Sequence, residues 1–184
     1  MPWKSLSRES DRQNDAFEEL ALPLFPSLYN VAHWLTHSQP DAEDLVQETF
    51  FKALRGFAGF EQGTNFKAWI FRILRNTYLT SKTGLAAMRT VYLDEQDSGL
   101  EATVDWDTPE SRMVALSDQA EVRSAMETLP PALLEVLLLC DVEEMKYRDI
   151  AVVLEIPIGT VMSRVARARG ALRRVLLQAR EERP

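Results

Sequence analysis

Residues 147–176 read YRDIAVVLEIPIGTVMSRVARARGALRRVL, and this stretch decides the fold. A short segment carrying Ile150, Ala151 and Leu154 runs into the turn Glu155-Ile156-Pro157-Ile158. A longer segment follows, in which Val161, Val165, Ala168, Leu172 and Leu176 recur at three- and four-residue steps. Apolar residues at that spacing line one side of an α-helix. Small Ala151 allows two helices to approach closely, Ile156 packs the turn and Thr160 is placed to cap the second helix, so the pair is expected to form a helix-turn-helix. One local cost is visible: the turn position often given to glycine is Glu155, and a left-handed residue with a Cβ costs about 1 kcal/mol or more.

The face left free by that apolar stripe offers Met162, Ser163, Ala166 and Arg167 near the helix N-terminus, the end that enters a major groove, with Arg164, Arg169, Arg173 and Arg174 along its flanks. Residues 160–180 hold six arginines and no acid. Arginine reads guanine edges through two hydrogen bonds and neutralises phosphates, so geometry and charge both point to duplex DNA.

The net charge of −7 argues against nucleic acid only if it is evenly spread, and it is not. Residues 1–51 carry −6, 52–90 carry +6, 91–145 carry −12 and 146–184 carry +5. Two basic islands therefore flank an acidic middle, and −12 close to the basic faces predicts weak binding of free DNA.

Working outward, helical spacing dominates wherever a period exists, and glycine is only 7 of 184 residues. The chain is expected to be all-α, with two small helical domains joined by an acidic linker. A mobile N-terminus is assigned to 1–14, a first domain to 15–85, the linker to 86–108 and a helix-turn-helix domain to 109–184. Phe17, Leu20, Leu24, Leu28, Val31 and Leu35 mark a first helix that Pro23 and Pro26 should kink or split. Pro40, followed by Asp41, Glu43 and Asp44, opens a helix over about 40–56, because proline suits a first turn and acids suit its positive dipole end.

That helix has an expected core stripe of Ala42, Leu45, Val46, Phe50, Ala53, Leu54 and Phe57, and an opposite stripe of Asp44, Gln47, Glu48, Phe51 and Arg55. Phe51 is the odd member, since an exposed aromatic ringed by polar groups has the form of a binding hot spot. After the loop GFAGFEQGT, Thr64 or Asn65 can cap a further helix with a core stripe of Phe66, Trp69, Ile70, Ile73, Leu74, Thr77 and Tyr78. Its other face holds Lys67, Phe71, Arg72, Arg75, Asn76 and Lys82. Cations that track phosphate beside an aromatic that stacks on bases suit single-stranded nucleic acid.

Other chemistry finds less support. MPWKSLSRESDRQND lacks the apolar core of a signal peptide and no run of roughly 18 apolar residues exists, so a cytoplasmic protein is expected. Cys140 is the sole cysteine, which excludes an internal disulfide, and it is expected to be a buried small hydrophobe. His33 and His37 stand four residues apart, but HWLTH lacks the glutamate a helix-borne hydrolytic zinc site uses as base, so neither metal, cofactor nor enzymatic activity is expected. A regulator that binds duplex DNA alone would explain Arg164 and Arg167 but not Phe51 and the basic loop-and-helix beside it.

The two halves together resemble the extracytoplasmic-function sigma factors, promoter-recognition subunits of bacterial RNA polymerase. DAEDLVQETFFKAL resembles the family's polymerase-clamp helix, and NFKAWIFRILRNTYL its minus-ten helix. YRDIAVVLEIPIGTVMSRVARARGAL resembles its minus-thirty-five reader. The resemblance implies a sigma region 2-like domain at 15–85 and a region 4-like domain at 109–184. It implies that Asp41, Asp44, Gln47, Glu48 and Phe51 dock on core polymerase. The loop 60–66 would capture an unpaired base, and Thr64, Asn65, Lys67, Phe71, Arg72, Arg75 and Asn76 would meet the opened minus-ten strand. Thr160, Met162, Ser163, Arg164, Ala166 and Arg167 would meet the minus-thirty-five element. It further implies an anti-sigma partner and a role in a stress or signal response. The chain departs from the family at Met162, at Thr80-Ser81-Lys82-Thr83 and at Glu155, which bears on promoter sequence rather than on function.

Overall fold

A computed structural model of the chain describes residues 13–82 and 119–181, which divide into two compact units. All the regular structure among the described residues is helical. Most of the expected N-terminal tail and the whole acidic linker lie outside the described residues.

The first unit begins with helix α1, residues 13–21, and a single 3-10 turn at Leu22–Leu24. Pro23 has no N–H to give an α-helical ladder, so the helix is interrupted here and restarts as α2, Phe25–Thr36, with Pro26 in its first turn. Helix α2 stops at His37, whose left-handed backbone (φ 53°) still donates its N–H to the His33 carbonyl at 2.9 Å. Ser38 then caps α3, Gln39–Gly56, by accepting the Asp41 N–H, with Pro40 in the first turn. A 3-10 turn at Phe57–Gly59 and a loop lead to α4, Phe66–Lys82.

Helix α3 packs against both α2 and α4, and α4 also touches α2. Two helical stripes differ from the periodicity reading. On α3 the buried arc is Ala42, Leu45, Val46, Thr49 and Ala53, whereas Leu54 is largely exposed. Thr49 tolerates the core because its hydroxyl donates to the Leu45 carbonyl at 2.7 Å, while Leu54 lies one residue past the edge of the arc. On α4 the arc is rotated: Phe71 is only 1% exposed, and Trp69 and Ile73 are half-buried. A helix covered by two neighbours buries more than one stripe, so Phe71 enters the core. Leu20 likewise points outward, and Phe17 and Ala21 bury in its place.

Phe17 ties the unit together, with its ring 5.4 Å from that of Phe57 and 6.2 Å from those of Phe50 and Phe66, all at steep angles. Edge-to-face contacts of this kind add to the area that aromatic rings bury.

The second unit comprises α5, Gln119–Glu127, and α6, Pro131–Leu137, which continues as a wider π turn at Leu138–Val142. Then follow α7, Tyr147–Leu154, and α8, Ile158–Glu181. Both α5 and α6 pack on α8. The core is Leu134, Val136, Leu137, Leu138, Leu139, Ile150, Val153 and Leu154 against Val161, Val165, Ala168 and Leu176 of α8. The turn between α7 and α8 has the expected strain: Glu155 has φ 56°, and the Ile156 N–H reaches back to the Ala151 carbonyl at 3.2 Å. That bond is one of the pair that closes a helix ending in a left-handed residue.

Thr160 does not cap α8. The helix starts earlier, because the Pro157 carbonyl accepts the N–H groups of Thr160 (2.9 Å) and Val161 (3.1 Å), which places Thr160 inside the first turn.

Candidate nucleic-acid interface

Three surfaces carry the side chains singled out by the sequence. On α3, Asp41, Asp44, Gln47, Glu48 and Phe51 are all exposed, because the helix spends Ala42, Leu45, Val46, Thr49 and Ala53 on its packing side. Phe51 is 54% exposed, with the Arg55 guanidinium 5.4 Å from its ring centroid. Glu48 pairs with Lys52 at 3.2 Å. A large apolar ring is thus presented to solvent within a charged rim.

The second surface is the loop 60–65 and the start of α4. Gly63, at φ 93°, makes a turn that an L side chain would strain. Thr64 donates its hydroxyl to the Glu61 carbonyl at 2.7 Å, while Asn65 caps α4 by accepting the Ala68 N–H at 3.2 Å. Between the two candidate caps, Asn65 takes the role. Arg72 and Asn76 are exposed, and Lys67 and Arg75 are half-buried. Phe71 is the correction here. It is buried, so it cannot stack on a base, and it instead lies beneath the Lys67 ammonium, 5.7 Å from ring centroid to nitrogen.

A different aromatic group adjoins the loop. Phe60 stacks on Phe57 (5.9 Å, 9°) and lies 5.1 Å from Trp69, and both Phe60 and Trp69 are half-buried. Trp69 was expected in the core stripe, and the loop 60–66 was expected to capture an unpaired base without Phe60 being singled out in it. The available signal was GFAGF, two phenylalanines three residues apart, about one turn of helix, immediately before the glycine turn.

The third surface is the first half of α8. Val161, Val165 and Ala168 are fully buried, which turns Met162 and Ser163 outward and leaves Thr160, Ala166 and Arg167 half-buried. Ser163 donates its hydroxyl to the Thr160 carbonyl at 3.1 Å. Arg164, expected on the DNA face, is only 9% exposed. It stands four residues before Ala168 and one before Val165, beside the packed stripe.

Arg169, expected on a flank, is held at home by two hydrogen bonds to Asp141, Nη2 to Oδ1 at 2.6 Å and Nε to Oδ2 at 3.1 Å. These bonds raise the Arg169 pKa further and tie α8 to the π turn. The same cluster governs Cys140, which is half-buried rather than fully so. Burial, and then the negative charge of Asp141, push its thiol up to about 11, against the pull of Arg169. Burial also raises the neighbouring Tyr147 hydroxyl. A thiol held neutral in this way is a poor nucleophile.

Among the described residues, no group of three or more His, Cys, Asp or Glu side chains comes together that could hold a metal ion, and no helix is long and apolar enough to cross a membrane. Residues 22–85 match the family model for sigma-70 region 2, and residues 119–172 match that for sigma-70 region 4. The ECF RNA polymerase sigma-E factor of Haemophilus influenzae is 34% identical over 161 residues, covering 83% of this chain and 85% of that protein. The chain belongs to the extracytoplasmic-function (ECF) sigma factor family.

The ECF RNA polymerase sigma factor SigE of Mycolicibacterium smegmatis is 31% identical over 169 residues, which span 91% of this chain and 64% of that protein. Among solved structures, the sigma factor RpoE in complex with the anti-sigma factor NepR from Bartonella quintana is similar at a TM-score of 0.65 and 30% identity, over 88% of this chain and 96% of that one. Sigma factors are transcription initiation factors that bind core RNA polymerase and promoter DNA, and this ECF sigma factor carries the two regions, 2 and 4, that support promoter recognition and initiation.

Proposed function

We propose that this ECF sigma factor docks on core RNA polymerase through the exposed face of α3 and reads its promoter at two places. Residues 15–85 are assigned to region 2 and 109–184 to region 4, with the acidic 86–108 between them. Asp41, Asp44, Gln47, Glu48 and Phe51 make the polymerase contact. Thr64, Lys67, Arg72, Arg75 and Asn76 follow the opened minus-ten strand, with Asn65 holding the end of the helix that carries them. Phe60 and Trp69 take the stacking role that buried Phe71 cannot. Thr160, Met162, Ser163, Ala166 and Arg167 face the minus-thirty-five element, and Arg164 supports the helix from its edge.

The observation that carries this reading is the pairing of unlike exposed surfaces: an aromatic hot spot on α3 and, on α8, a groove-reading face backed by three fully buried residues. Promoter opening then means stabilising unstacked bases, and the chain acts without catalysing a reaction of its own. It works where RNA polymerase does, in the cytoplasm, in a stress or signal response. An anti-sigma factor is a further expected partner, supported by the NepR complex of the similar RpoE.

Purified protein added to bacterial core polymerase with a library of genomic promoter fragments tests the reading. Protein-dependent transcripts that start behind a shared two-block element are expected. Failure to bind core polymerase, with tight binding to duplex DNA alone, would overturn it in favour of a free-standing regulator.

A further inference from the structure

The first half of α8 presents two unlike stripes side by side. Gly159, Ser163 and Arg167 follow one another at four-residue steps and are small or polar. Ile158, Met162 and Ala166, each one residue earlier, are apolar. Ile158 is 45% exposed and Met162 is 39% exposed. Neither completes the core, since Val161, Val165 and Ala168 already fill the packing side of the helix. Two large apolar side chains are therefore left at the start of a helix that exposes Arg173, Arg174 and Leu177 further along it.

The chemistry of the stripe limits what it can meet. Arginines about an apolar strip match a duplex, in which phosphates border a groove. The apolar group that a base pair displays in the major groove is the C5-methyl of thymine. Gly159 adds a spatial argument: a Cβ there would meet nothing within 4 Å, so no contact inside the protein requires glycine. Gly159 leaves the start of the Ser163 stripe low, beside Ile158 and Met162.

We propose that Ile158 and Met162 form a methyl-reading stripe, and that Met162 is a specificity-determining residue for thymine in the minus-thirty-five element. The inference rests on the reading of α8 as the minus-thirty-five reader. Ser163 and Arg167 then supply hydrogen-bonding recognition, and Met162 adds discrimination that no hydrogen bond provides.

The test uses the holoenzyme and promoter fragments from which it initiates. Each thymine of the minus-thirty-five block, on either strand, is replaced by deoxyuridine, which deletes only the methyl group. At one or two positions the wild-type protein should lose initiation about three- to fivefold, the scale of one buried methyl group. Met162→Ala, and Met162→Gln, which keeps the length but not the apolar character, should initiate from the unmodified promoter about as weakly as the wild type does from the methyl-deleted one, and should lose nothing further when the methyl is deleted there. A wild-type protein indifferent at every position, a block with no thymine on either strand, or a Met162→Ala protein that keeps full sensitivity would overturn the proposal. Absence of protein-dependent transcription from every fragment would instead defeat the parent reading of α8, and the methyl-reading stripe with it.

Discussion

Replacing Phe51 by alanine isolates the polymerase contact. The ring is 54% exposed. An aromatic side chain offers about 200 Å² of burial, so roughly 110 Å² is available to a partner. At about 25 cal/mol per Å² this is a little under 3 kcal/mol, and the area that alanine still covers reduces the expected loss to about 2 kcal/mol, or roughly thirtyfold in Kd. The folded protein loses much less, because the ring faces solvent and its contact with Arg55 at 5.4 Å is worth about 0.5–1 kcal/mol at an exposed site. The assay is a competition titration against core polymerase, run beside a thermal melt of the free protein. Leu22→Ala serves as control, since Leu22 is 58% exposed on the same unit but belongs to the 3-10 turn and not to α3. Coincident titrations of mutant and wild type, or an equal loss in the Leu22 control, would refute the assignment of this face.

Three further outcomes are expected. Arg167→Ala should cost about 1–3 kcal/mol of discrimination at a single base of the minus-thirty-five element, and unchanged preference across single-base promoter variants would remove it from the readers. Glu155→Gly should raise stability by about 0.5–1 kcal/mol in thermal unfolding, because relief of a left-handed Cβ exceeds the extra chain entropy of glycine; a lower melting temperature would contradict this. Cys140 has a folded-state pKa of about 11 against 9.0 for the free thiol, so the folded state holds the proton more tightly. Its contribution to stability is complete below pH 9 and is lost as pH rises towards 11, which thiolate absorbance and pH-dependent melting can follow; ionisation near pH 9 in the folded protein would show the reasoning wrong.

Much of the architecture was legible in the chain because it is local. Pro23 interrupts the first helix and Pro40 sits in the first turn of α3 for reasons contained in proline itself, which lacks an N–H and has a fixed φ. Glu155 takes the left-handed backbone at the turn position often given to glycine, between Leu154 and Ile156-Pro157. The exposed members of the α3 face, from Asp44 to Arg55, followed from the helical period alone.

Where the sequence and the tertiary structure part, the residue stands at the margin of a stripe. Period 3.6 locates the centre of a buried arc but not its width, which depends on how many neighbours cover the helix. Two neighbours on α4 drew Phe71 inward, the packed stripe of α8 covered Arg164, and the edge of the α3 arc left Leu54 out while admitting Thr49. Arg169 shows the same limit for charge, because its partner Asp141 is 28 residues away and only the packing of the π turn against α8 brings the two together. By itself the sequence determined the helices, their breaks and the solvent-facing centre of each site. The tertiary structure decided which aromatic rings and arginines remain available to a partner, since burial at an edge is a property of the neighbour and not of the residue.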